Sequence, residues 1–191
     1  VHPDIVIAAL WAAWGLSWIA AALWSAQTEK RAGLGAELRY RAIQLAGILL
    51  LAVPAHGYNG SMRLWHIGWS GAWVCAALIA LGLSFSWWAR IHLGRLWSGH
   101  ITRKADHRVI DSGPYAIVRH PIYTGILLGV LATAAAKGTV FGIGGAVLIV
   151  LGLSMKARLE ERWLTQELGA DAYQAYRRRV PMLLPFGPKA D

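Results

Sequence analysis

Five nearly charge-free apolar blocks, at residues 5–26, 42–55, 67–89, 122–136 and 139–155, constrain this chain more than any other feature. A membrane span takes about 20 apolar residues, with a range of roughly 17–25. The first and third blocks reach that length alone. The second and fourth reach it with their flanks, Tyr40 and Arg41 in one case and residues 115–118 in the other. Backbone polar groups in hydrocarbon need internal partners, so unbroken apolar runs of this length read as helices. The expected fold is an all-α integral membrane protein with five transmembrane helices. Only 15% of residues are charged, against about a quarter in soluble domains. The first block is too long and too Trp-rich for the core of a secretory signal.

The basic residues orient these spans. Seventeen of 19 fall in the connection between the first two blocks, in the connection between the third and fourth, or in the tail. Arg63 and Lys137 stand alone in the other two connections. Basic loops stay cytoplasmic, so the N-terminus is expected outside and the C-terminus in the cytoplasm, with a bacterial inner membrane as the setting. The net charge of +9 then lies beside anionic headgroups, and no nucleic-acid partner is expected. No internal repeat or long linker divides the chain. Residues 1–89 supply three helices, and residues 90–191 supply two more together with the polar segments.

Those polar segments hold the ionisable groups. The loop contains His92, His100, His107 and His120, but the spacing fits no short metal-ligand pattern, and no metal is expected. In "GPYAIVRHPIYTG", Pro121 suits the first position of a helix. A helix N-terminus flanked by Arg119 and His120 would favour an anion. The tail "KARLEERWLTQELG" reads as a helix that stops at Gly169. It carries the adjacent carboxylates Glu160 and Glu161, with Arg158 one turn before Glu161. A solvated Arg158–Glu161 pair and an interfacial Arg119 anchor are the plain readings. The alternative is a ligand with both charges: His and Arg for a carboxylate, glutamates for an ammonium or sulfonium, tyrosines for a ring. S-adenosylmethionine fits that list.

At these residues the chain resembles the isoprenylcysteine carboxyl methyltransferase family, whose wider group includes membrane phospholipid methyltransferases. The likeness spans roughly residues 88–187 and rests on "LGRLWS", "HRVIDSGPYAIVRHPIYTG", "RLEERWLTQELG" and "YQAYRRRVPMLLPF". It implies a membrane enzyme that takes S-adenosylmethionine from the cytoplasm and a lipophilic acceptor from the bilayer. Carried across residue by residue, the family's cofactor contacts fall on His107, Arg108, Val109 and Ile110, on Tyr115, on His120, Pro121, Ile122 and Tyr123, and on Glu161. Arg119 and Glu160 adjoin them in the expected site. The family's substrate-carboxylate arginine falls near Arg158, although in some members it stands where this chain has Ala157. Arg158 and Glu161 are thus the expected catalytic pair.

Three alternatives compete, two of them from other classes. A phospholipid N-methyltransferase would share the cofactor and differ in the acceptor. An NADPH-dependent reductase of the sterol-reductase type would need a phosphate-binding loop, and "FGIGG" at 141–145 lacks both the third glycine and a preceding strand. A carrier would place ionisable groups within its spans, and these spans hold almost none.

Overall fold

The computed structural model describes residues 2–23, 28–31, 34–54, 62–94, 97, 102–104, 109–168 and 170–189. Its helices are α1 (Pro3–Ala22), α2 (Leu34–Ala52), α3 (Trp69–Leu93), α4 (Pro114–Ile117), α5 (Pro121–Lys137), α6 (Val140–Leu168) and α7 (Ala170–Arg179). Two short strands, β1 (Thr28–Arg31) and β2 (Thr102–Lys104), pair antiparallel. This ribbon joins the two basic connections and, with an isolated β-bridge between Arg63 and Thr139, departs from an all-helical chain among the described residues.

Among the described residues, three helices are long and apolar enough to cross a membrane: α1, α3, and α6 over Val140–Gln166. The apolar helix α5 is shorter, at 17 residues, and α2 carries Glu37, Arg39 and Arg41 near its start. Leu16, Ile19, Leu45, Ile48, Leu131, Val147 and Leu151 are all exposed. An apolar surface this extensive belongs against lipid and not water. The chain is a membrane protein.

Small residues set the packing, because helices in lipid associate by close backbone approach and not by hydrophobic expulsion. Gly82 of α3 meets Gly125 of α5 so closely that a Cβ on Gly82 would stand 2.5 Å from the Gly125 carbonyl oxygen. Gly145 of α6 meets Gly47 of α2 in the same way, at 2.7 Å from a Cβ to the carbonyl. The "FGIGG" stretch is thus a helix-packing face. These two seams pair α3 with α5 and α2 with α6, while α1 packs on α3. Residues of α1, α2 and α5 line one cavity.

Pro121 begins α5 at its first turn, with His120 as the N-cap. α6 runs unbroken for 29 residues from the apolar block into the polar tail. Its length carries Glu160 and Glu161 alongside the start of α5.

Candidate functional site

The site is assembled where α5 begins, where the polar end of α6 passes it, and where the chain after α7 folds back over both. That return is a backbone clasp. The Arg119 N–H donates to the Pro181 carbonyl at 2.8 Å and the His120 N–H to Met182 at 3.1 Å. The Thr124 hydroxyl donates to Leu183 at 2.6 Å. Such bonds satisfy donors that a helix start leaves without intrahelical partners.

Glu161 anchors the clasp. It is buried, and its carboxylate receives Arg119 in two-pronged fashion, from Nε at 2.6 Å and from a terminal nitrogen at 3.2 Å. The guanidinium's remaining N–H bonds go to the carbonyls of Arg177 at 3.0 Å and Val180 at 2.5 Å. The Arg177 Nε lies 3.3 Å from the other Glu161 oxygen, and His120 Nε2 lies 3.2 Å from the first. Forked geometry of this kind suits arginine and not lysine. Glu161 therefore faces Arg119, Arg177 and His120, and it does not line the cavity. Arg119, Arg177 and His120 stand against its two oxygens.

Glu160 points the other way. It lines the cavity, accepts the Tyr123 hydroxyl at 2.6 Å, and stands 3.5 Å from His120 Nδ1 and 3.8 Å from Lys156 Nζ. His120 stacks on Tyr123 with 5.4 Å between centroids and 5° between planes. Burial disfavours the His120 imidazolium, but hydrogen bonds and charge from Glu160 and Glu161 outweigh it and hold its pKa above the usual value. Burial likewise raises the phenols of Tyr115, Tyr173 and Tyr176, which remain neutral donors. The Tyr176 hydroxyl donates to the Tyr115 carbonyl at 2.7 Å, tying α7 to α4.

Val109, Ile110, Tyr115, Arg119, His120, Pro121, Ile122, Tyr123 and Glu160 all line one cavity of about 1360 Å³. Tyr173, Tyr176 and Lys156 join them, and none of these three was singled out from the sequence. His107 and Arg108 lie outside the described residues. Arg158 is exposed and takes no part in the cavity wall. At 100° per residue it sits about 200° around α6 from Lys156. Ala157, the alternative arginine position, is fully buried. Lys156 is the cation α6 presents to the cavity, over the rings of Tyr123 and Tyr40 at 5.3 and 5.8 Å. Position i+4 from Lys156 is Glu160, so the helical repeat was the available signal. Among the described residues no cluster of three or more His, Cys, Asp or Glu is placed to hold a metal.

Residues 74–166, which hold most of this constellation, match the isoprenylcysteine carboxyl methyltransferase family. The matched segment takes in most of α3 through α6, with the paired glutamates. Similar proteins include the protein-S-isoprenylcysteine O-methyltransferase of Schizosaccharomyces pombe, 33% identical over 52% of this chain and 43% of that protein. Methanethiol S-methyltransferase 2 of Bradyrhizobium diazoefficiens is 47% identical over 37% of this chain and 26% of that protein. The cobalt-zinc-cadmium resistance protein CzcN of Cupriavidus metallidurans is 32% identical over 65% of this chain and 57% of that protein. The chain thus spans between about a quarter and somewhat over half the length of these relatives.

Proposed function

We propose that the protein is an S-adenosylmethionine-dependent methyltransferase of the membrane, acting on a lipophilic acceptor at the cytoplasmic face. One observation carries this reading. The charged and aromatic pocket around Glu160, His120 and the tyrosines is the head of a cavity that continues along α5 as an apolar corridor past Ile126 and Val130. Its volume of about 1360 Å³ exceeds the roughly 300–1,000 Å³ of a single small-ligand site, so two ligands fit end to end.

The residues present suit the cofactor. Glu160 is the cavity-facing carboxylate for a sulfonium or ammonium, Arg119 and Lys156 are cavity-lining cations for a carboxylate, and Val109, Ile110, Tyr115, Tyr173 and Tyr176 offer apolar and hydrogen-bonding surface for a nucleoside. S-adenosylmethionine supplies an electrophilic methyl with its own leaving group. The protein's work is then positioning and the exclusion of water. A carboxylate or thiolate acceptor needs no base, and Lys156, which lines the cavity over the Tyr123 ring, is placed to orient such an anion. Glu161, with Arg119, positions Glu160 and the clasp. The 17-to-2 distribution of basic residues supports a cytoplasmic pocket by the positive-inside rule, and it supports five spans with α2 and α5 included.

Calorimetry on the detergent-solubilised protein, without added metal, tests the cofactor. Heat of binding with S-adenosylmethionine and its demethylated product is the expected result. Silence with both and a signal with NADPH would replace this reading with the reductase one.

A further inference from the structure

The corridor has a second polar end, far from the methyl-transfer pocket. Along α5 the distance from His120 to Lys137 is about 25 Å at the helical rise, close to the thickness of a bilayer's hydrocarbon core, about 30 Å. Both residues line the same cavity. At the Lys137 end the wall also contains Arg63, Trp69 and Asp4. Arg63 and Lys137 are the two basic residues outside the 17 on the pocket side, and the fold brings them to one mouth.

A backbone clasp makes that meeting. The N–H groups of Leu64 and Trp65 donate to the Gly138 carbonyl at 2.8 and 3.3 Å, and Arg63 pairs in a β-bridge with Thr139. The Trp65 indole donates to Ala135 at 2.8 Å. Gly138 holds φ at +59°, a turn that a side chain would strain. The Lys137 ammonium reaches back to the Val53 carbonyl at 2.8 Å. Asp4, the anion at this mouth, lies 3.3 Å from His2 Nδ1. Between mouth and pocket the wall is mostly apolar, with Trp11, Ile126 and Val130 beside Thr133 and Gln44.

We propose that this mouth binds the phosphate of an anionic phospholipid from the leaflet opposite the pocket, with its acyl chain lying in the corridor. Charge complementarity selects the headgroup, since two cations converge where interfacial tryptophans mark the membrane surface. The apolar wall selects the chain. This lipid approaches from the side opposite the cofactor and shares the corridor with any lipophilic acceptor, so it sets how deep that acceptor can lie.

The full chain in nanodiscs tests this, using phosphatidylglycerol with a photoreactive group on its acyl chain and, in parallel, the matching phosphatidylcholine. Cross-links mapped by mass spectrometry are expected on Trp11, Ile126 and Val130, in excess from phosphatidylglycerol. R63Q/K137Q should lower that yield by roughly fivefold for each cation removed, the scale of a basic residue beside an anionic lipid surface. R63K/K137R should retain it, and R178Q on the pocket side should leave it unchanged. Equal yields from the two lipids, full yield in R63Q/K137Q, or cross-links confined to outer helix faces would overturn the proposal. Should R63Q/K137Q aggregate, the comparison of the two lipids on the wild-type chain decides.

Discussion

Replacing Glu161 with Gln separates a residue that binds ligand from one that holds the site together. The side chain keeps its shape and loses the charge that faces Arg119, Arg177 and His120. Removing one partner of a buried ion pair costs about 3–5 kcal/mol, because the other charge is left uncompensated. The Gln oxygen still accepts one of the Arg119 N–H bonds at 2.6–3.2 Å, which sets the expectation at the lower end, about 3 kcal/mol. Local opening of the clasp should then rise by roughly 100-fold, at a factor of ten per 1.4 kcal/mol. Hydrogen exchange of the Arg119 and His120 amides, bonded to Pro181 and Met182, reads that opening directly. Unchanged exchange at these two amides, together with lost S-adenosylmethionine binding, would refute the reasoning. Glu161 would then be a ligand contact and not the anchor of the clasp.

Glu160→Gln should weaken S-adenosylmethionine binding by about 1.5–3 kcal/mol, the scale of a hydrogen bond to a charged group, while leaving exchange at the clasp as it was; titration calorimetry checks it. His120 binds its proton more tightly folded than unfolded, so its contribution to stability is complete below its ordinary pKa of 6.5 and is lost as pH rises through the raised folded value. The midpoint of thermal unfolding in detergent should therefore fall as pH rises above 6.5, and His120→Asn should flatten that slope; an identical slope in the variant contradicts it. Gly125→Ala drives a methyl to within 2.8 Å of the Ser86 nitrogen and should cost about 1–3 kcal/mol by overpacking, seen as a lower melting midpoint. A cysteine at Met62 should react with an impermeant reagent on intact cells and one at Ala175 should not; reversed labelling would put the pocket on the wrong side.

Much of this was legible in the sequence, for physical reasons. Span-length apolar runs announce helices, Pro121 announces a helix start, and the two glutamates with Arg119 and His120 announce a charged cluster at one membrane face. What composition and spacing do not reveal is which charge answers which. Glu161 has the chemistry to receive a ligand's cation, and the fold gives it Arg119 from 42 residues away. Arg158 and Lys156 differ only in angle around α6, and one is exposed while the other lines the cavity. The clasp of residues 180–183 on the start of α5 escaped notice because it is made by backbone groups, which no side-chain pattern encodes. The ribbon of β1 and β2 is too short, at four and three residues, to show alternation.

Incubating the purified protein with methyl-labelled S-adenosylmethionine and a lipid extract of its host membrane tests the central claim most directly. Mass spectrometry should find the label on one lipophilic acid, thiol or amine, at a rate sharply reduced in Glu160→Gln and nearly unchanged in Arg158→Ala. No labelled lipid with the wild-type protein, or equal labelling with Glu160→Gln, would contradict a methyl-transfer site built around the cavity-facing glutamate.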